Sequence, residues 1–161
     1  MTTGSKVTPC LWFDTNGEEA AEFYVSVFKN STINAVTHYG SAGPLPEGTA
    51  MTVDFELDGQ QFVALNGGSG VDFHFNESVS FQVDCEDQDE VDHFWEALGE
   101  GGEHGPCGWL KDKYGLSWQI VPSRLTELIG SEDQEAGQRA MAAMLQMQKI
   151  VVADIEAAYK G

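Results

Sequence analysis

Thr49-Ala-Met-Thr-Val-Asp-Phe-Glu-Leu-Asp-Gly-Gln-Gln-Phe-Val-Ala-Leu-Asn66 is the stretch on which the fold turns. Met51, Val53, Phe55 and Leu57 fall on one side of an extended chain, and Thr52, Asp54 and Glu56 on the other. That alternation marks a strand with one face buried. Asp58-Gly59 is the strongest hairpin signal in the chain, because both residues tolerate the positive φ of a tight two-residue turn. Gln61 to Asn66 then returns as a second strand.

Upstream, Thr8-Pro-Cys-Leu-Trp-Phe-Asp14 is a short apolar run that reads as a strand, broken by Asn16-Gly17. Glu18 to Phe28 places Ala20, Ala21, Phe23, Tyr24, Val27 and Phe28 on one helical face. Its acids lead, as the helix dipole prefers. Ser31 to Tyr39 reads as a strand, and Gly40 to Gly48 has loop chemistry. Downstream, Asn66-Gly67-Gly68-Ser69-Gly70 is a flexible loop. Val79, Phe81 and Val83 then alternate with Ser80, Gln82 and Asp84. Asp87 to Leu98 carries Val91, Phe94, Trp95 and Leu98 on one helical face. Gly99 to Gly108 is Gly-rich, with room for a short strand. Gly108 to Tyr114 and Ser117 to Pro122 read as a hairpin around Tyr114-Gly115, and Pro122 stops the last strand.

The order is strand, helix, three strands, and then the same again, so internal repetition is the expected architecture. Asp14 corresponds to Asp84, Phe23-Tyr24 to Phe94-Trp95, Gly59 to Gly115 and Phe62 to Trp118. Module one runs over about 7–70 and module two over about 78–123, within a domain of 7–123. Residues 124–161 form a helical extension. Ser131-Glu-Asp-Gln134 reads as a capping box with Ser131 as N-cap. From Glu132 to Tyr159 one long helix is expected, with Ala140, Met144, Met147, Val151, Ile155 and Ala158 as its apolar stripe. At 1.5 Å per residue that stripe is about 28 Å long and must be covered by the chain's own sheet or by a second subunit. A homodimer through this helix is the expectation.

The 161 residues are 42% apolar, 11% aromatic and 21% charged, enough for a real core and unlike a disordered chain. The formal net charge is −18. A surface this negative repels phosphate backbones and anionic lipid, so neither nucleic acid nor membrane is expected as a partner. No run approaches a membrane span, and Met-Thr-Thr-Gly-Ser-Lys6 lacks the apolar run of a signal peptide. A cytoplasmic location is expected. Cys10, Cys85 and Cys107 are too far apart for a CxxC metal site and read as small buried hydrophobes. His38, His74, His93 and His104 are equally scattered. HExxH, GxxxxGK[ST], GxSxG and GxGxxG are all missing.

Thr8 to Asp14, Phe62-Val-Ala-Leu-Asn-Gly-Gly68, Val79-Ser-Phe-Gln-Val-Asp84 and Gly108-Trp-Leu-Lys-Asp-Lys-Tyr-Gly-Leu-Ser-Trp-Gln-Ile-Val-Pro122 carry a resemblance over about 7–159. In a twofold βαβββ context they resemble the PhnB-like branch of the vicinal oxygen chelate superfamily, often labelled 3-demethylubiquinone-9 3-methyltransferase. The superfamily includes glyoxalase I, extradiol dioxygenases, fosfomycin-resistance proteins and bleomycin-binding proteins. The resemblance implies an α+β fold: paired βαβββ modules forming a curved, mixed, mostly antiparallel sheet around a pocket, usually completed as a homodimer. Metal-dependent members carry four ligands, one near each first and fourth strand. Counted from the hairpin glycines, the fourth-strand positions here are Val63 and Gln119. The first-strand positions fall near Pro9 or Cys10 and near Ser78 to Ser80. Only Gln119 is an oxygen donor suited to a divalent ion, and one neutral amide cannot hold one.

Two readings follow. The first is a binding protein without metal or other cofactor, whose pocket takes a small organic molecule. Its expected lining is Trp12, Val63, Leu65, Asn66, Ser80, Gln82, Trp109 and Gln119. The alternative is a glyoxalase-like lyase or dioxygenase with a divalent metal at an atypical site that uses His74, Gln119 and a carboxylate. His74 is the candidate proton carrier in either case. Methyl transfer, as the family label suggests, ranks below both. The one Gly-rich stretch, Asn66 to Gly70, is not set in the βαβ unit that a nucleotide-derived donor uses.

Overall fold

The computed structural model describes residues 5–161; the first four, part of the stretch read above for a leader, lie outside the described residues. The chain divides into two compact units, Met1–Phe73 and His74–Gly161.

In the first unit, β1 (Cys10–Phe13) leads to α1 (Gly17–Val27), then β2 (Thr32–His38), β3 (Ala50–Leu57) and β4 (Gln60–Asn66). The sheet order is β1-β4-β3-β2, parallel only between β1 and β4. The alternation in β3 does what its sequence dictates. Val53, Phe55 and Leu57 are buried, and Thr52, Asp54 and Glu56 are half-buried on the other face. Asp58 and Gly59 turn the hairpin with φ of 44° and 84°, the two left-handed residues of a type I′ turn. Ala20, Ala21, Tyr24 and Val27 of α1 are buried, and Tyr24 stacks with Phe55, which stacks with Phe62.

In the second unit, β5 (Ser80–Cys85), α2 (Gln88–Gly99), β6 (Glu103–His104), β7 (Trp109–Lys111) and β8 (Ser117–Pro122) repeat the pattern. The sheet order β5-β8-β7-β6 matches the first, again parallel only between first and fourth strands. The eight strands thus form two four-stranded sheets. Tyr24 and Trp95 occupy equivalent buried places on α1 and α2, as the Phe23-Tyr24 and Phe94-Trp95 correspondence implies. Asp112 organises the β7–β8 turn. It is buried, accepts from the backbone N–H of Tyr114 and Leu116, and takes the Trp118 indole N–H at 2.9 Å.

Sheet register revises one part of the repeat. Cys10 pairs with Val63 and Gln82 pairs with Gln119. With Val63 equivalent to Gln119, the counterpart of Cys10 is Gln82, and that of Trp12 is Asp84. The second copy's first-strand position is therefore Gln82, not Ser78 to Ser80, and Asp84 does not correspond to Asp14. Counting from the turn fixes the fourth strand only. The phase of the first strand is set by parallel pairing, which has no connecting turn to count from.

The C-terminal region departs from the single long helix. It folds as α3 (Ser123–Ile129), α4 (Gln134–Met144) and α5 (Val152–Lys160). Asp133, not Ser131, caps α4, accepting from the Ala136 N–H at 3.0 Å. Ser131 Oγ accepts from the Tyr159 hydroxyl instead. The stretch between α4 and α5 breaks because its backbone has better partners elsewhere. Met147 and Gln148 carbonyls accept from the N–H groups of Cys107 and Gly108, and the Gln88 side chain clamps the Ile150 carbonyl and the Val152 N–H. Neither Pro nor Gly marks this break, so only tertiary hydrogen bonds create it. Of the residues assigned to one stripe, Ala140 and Ile155 join Leu125, Leu128 and Ile150 in a buried cluster, with Met144 and Met147 against it. Four of the six stripe residues are thus packed within the chain, so the strip is shorter than the homodimer expectation assumed.

Candidate functional site

Alternation along β8 sends Trp118 and Ile120 into the core with Leu110 and Val83. Ser117, Gln119 and Val121 turn to the opposite face. Register then assembles two rows on that face. Gln82, Gln119 and Trp109 form one; Ser80, Ser117, Lys111 and Glu103 form the other. Gln119 Nε2 donates to Ser80 Oγ at 2.9 Å, and Gln82 Nε2 donates to Asp84 at 2.8 Å. Beside the second row lies a cleft of about 410 Å³, within the usual range for small-molecule sites. Trp109, Lys111, Ser117, Glu77 and Glu103 line it.

Glu77 forms an ion pair with Lys111. An Asx turn, in which Asn76 Oδ1 accepts from the Ser78 N–H at 2.9 Å, presents Glu77 just before β5. β8 runs between β5 and β7, and Glu77, Lys111 and Ser117 line one cleft. The hydrogen bond from Lys111 holds the Glu77 carboxyl below its usual range, and Glu77 raises Lys111 in return, with Glu103 adding to it. Ser117 is 1% exposed, and its hydroxyl finds no hydrogen-bond partner among the described residues.

The corresponding face of the first sheet carries Cys10, Trp12, Val63 and Leu65. Trp12 is held down there. Its indole N–H donates to the Gly68 carbonyl, its ring meets Phe73 edge-on at 5.3 Å, and a Cβ on Gly67 would collide with it. Desolvation raises the Cys10 thiol above its ordinary value, which makes it a weaker nucleophile at neutral pH.

Of the expected pocket residues only Trp109 lines the cleft; Ser80, Gln82 and Gln119 share its face beside it, and Asn66 and His74 stand elsewhere. Asn66 is one step out of phase with Val63 and Leu65, so it faces the core. Its side chain accepts from the Gly17 N–H at 2.8 Å and donates to the Ala50 carbonyl. It supplies from β4 the cap that Asn16 does not provide for α1. His74 is exposed in the coil before β5 and does not line the cleft. Trp109, Ser80, Gln82 and Gln119 do share one face, as alternation and the hairpin imply. Lys111, Ser117, Glu77 and Glu103 were missed. Ser117 and Lys111 were readable as two-residue steps from Gln119 and Trp109. Glu77 was not, because its place depends on the ion pair with Lys111.

The implied metal site fails a donor test. The four register-matched positions are Cys10, Val63, Gln82 and Gln119: a thiol raised by desolvation, a hydrocarbon and two neutral amides. That set does not suit a divalent ion. Among the described residues no three His, Cys, Asp or Glu are placed to hold a metal. The Gly-rich loop is spoken for as well. The N–H groups of Gly67 and Gly68 donate to the Phe13 and Asp14 carbonyls, so they are not presented to a phosphate.

Two βαβββ units with matching strand order define the vicinal oxygen chelate class of fold. Residues 5–121 match the family model described as 3-demethylubiquinone-9 3-methyltransferase, and the chain belongs to this PhnB-like family. It is 34% identical to a solved structure described as a putative 3-demethylubiquinone-9 3-methyltransferase, PhnB protein, from Bacillus cereus. That match covers 73% of this chain and 99% of the other, with a TM-score of 0.67. A Pseudomonas aeruginosa protein is similar at 19% identity, 74% and 98% coverage and a TM-score of 0.62. The fosfomycin resistance protein FosX from Listeria monocytogenes is similar in fold at 16% identity, 81% and 100% coverage and a TM-score of 0.53. No curated protein matches the chain. Among the described residues no helix is long and apolar enough to cross a membrane.

Proposed function

We propose that this protein is a cytoplasmic small-molecule-binding member of its family that takes an organic ligand in the cleft beside β7 and β8, without a metal ion. The observation that carries the reading is the row Gln82–Gln119–Trp109. At the second unit's two positions where the superfamily resemblance places His, Gln or Glu ligands, this row offers only two neutral amides, with the Trp109 indole beside them. Of this row Trp109 lines the cleft, and the two amides continue the same face beside it. An aromatic wall next to uncharged polar groups suits an organic molecule held by stacking and hydrogen bonding. The chemistry of the first-sheet positions, Cys10 and Val63, supports the same reading. A homodimer belongs to the proposal on the family resemblance alone, since the C-terminal helices no longer argue for it.

Elemental analysis of protein purified without chelator or added metal is the test. A substoichiometric divalent content supports the reading. One equivalent of a divalent ion, lost on Gln119→Ala, overturns it in favour of a metal-dependent lyase or dioxygenase. Methyl transfer is not expected, because the Gly67 and Gly68 amides are already engaged. Tight calorimetric binding of S-adenosylmethionine would contradict that.

A further inference from the structure

The cleft has a charge as well as a shape. Glu77 and Glu103 line it against a single ammonium, Lys111. Glu77 and Lys111 answer one another, and Glu103, across the ladder from Lys111, leaves the cleft one negative charge in excess. His104 also lines the cleft but is engaged with the neighbouring helix. Its ring stacks on Trp95 at 4.5 Å, and its Nε2 sits 3.0 Å from the Trp95 carbonyl. The whole chain carries −18, so its field draws cations toward the cleft and turns anions away. Trp109, half-buried, offers an indole face, the best aromatic surface for a cation. Ser117 lines the same cleft, its hydroxyl buried and without a partner among the described residues. A buried polar atom of this kind is rare in a finished core, and on the wall of a cleft it is available to a ligand atom. The Glu77–Lys111 pair lines the cleft with Ser117, and both of its side chains are partly exposed.

Resting on the small-molecule reading above, we propose that the ligand is a flat organic cation, an aromatic or conjugated amine or amidine. It stacks on Trp109, its charge faces Glu103, and an N–H donates to Ser117 Oγ.

Two tricyclic probes of matched size and opposite charge test this: 9-aminoacridine, a cation, and 9-anthracenecarboxylate, an anion. Binding is read by calorimetry in about 0.3 M salt, where loose attraction to the acidic surface is screened. The full chain is compared with Trp109→Ala, Trp109→Phe, Glu103→Gln and Ser117→Ala, each first checked for a native circular dichroism spectrum. The expected result is one cation per chain and no anion binding. Affinity should fall roughly tenfold in Trp109→Ala and about fivefold in Glu103→Gln, with most of it retained in Trp109→Phe. If the anion binds instead and depends on Trp109, the charge inference is overturned while the small-molecule reading stands. If the cation binds equally to every variant, it is held by the surface, and the inference is overturned. If neither probe binds, the inference is again overturned, and the wider reading rests on the metal analysis.

Discussion

Ser117→Ala should make the protein more stable, which is the reverse of what truncating a buried residue normally does. Ser117 is 1% exposed, and its Oγ has no hydrogen-bond partner among the described residues. Its neighbours have other engagements: the Ser80 hydroxyl accepts from Gln119, and Lys111 pairs with Glu77. Leaving a hydroxyl buried and unsatisfied costs about 1–3 kcal/mol. Removing a single oxygen sacrifices little packing, so a net gain of about 1 kcal/mol is expected. For a chain of this length that corresponds to a rise in Tm of roughly 2–4 °C. The assay is paired thermal and urea unfolding, followed by circular dichroism, without ligand. An unchanged urea m-value would show that the native state gained stability, not that the denatured state was altered. A fall in Tm of 2 °C or more would refute the reasoning, because the hydroxyl must then be satisfied in solution and would no longer be available to a ligand atom. The same variant should bind 9-aminoacridine more weakly, so stability and affinity should move in opposite directions, as expected of a group kept for binding.

Buried polar groups that do have partners should behave oppositely. Asp112→Ala strands two backbone N–H groups and the Trp118 indole N–H, and should cost about 3 kcal/mol or more in urea unfolding. Asn66→Ala uncaps α1 and leaves the Ala50 carbonyl unpaired, and should cost about 2 kcal/mol. Cys85 is fully buried, and its thiol is pushed up to about 12 by desolvation, with Glu90, Asp84 and Asp87 adding to the shift. The unfolded thiol loses its proton near 9 while the folded one keeps it, so this group's contribution is intact below pH 9. It should be lost between about 9 and 12, at up to about 1.4 kcal/mol per pH unit. A Cys85→Ala variant whose stability falls just as steeply over that window would contradict this assignment. Glu77→Gln frees Lys111 in the cleft and should weaken the cationic probe while admitting the anionic one, read by the same calorimetry.

The repeat was legible in the chain because its signals are local. Alternation in β3, the Asp58-Gly59 turn and the acid-led helices each depend on residues a few positions apart, and backbone sterics read them the same way in any context. The Gln119 face was legible for the same reason: it lies a fixed step from a turn glycine. Trp109 follows by pairing across that turn. What failed was everything that needed a distant partner. The phase of β5 against β8 has no turn to count from, so Gln82 displaced Ser78 to Ser80 as the first-strand position.

Asn66 shows the limit within a single residue. Its strand was readable, but its role was not, because the group it caps is the Gly17 N–H, 49 positions earlier in the chain. The C-terminal region shows it over a whole segment. Glu132 to Tyr159 has helical propensity throughout, and no local breaker divides it. Only the backbone of Cys107 and Gly108 and the side chain of Gln88, brought close by the second unit's fold, offer its carbonyls and amides partners that a continuous helix would forgo. The sequence by itself determined two βαβββ modules and the face on which Gln119 and Trp109 stand, because short-range periodicity and turn chemistry carry that information. The cleft's charge, its unpartnered serine and the division of the last helix were decided by tertiary structure. Each of them depends on which remote groups meet, and no local pattern encodes that.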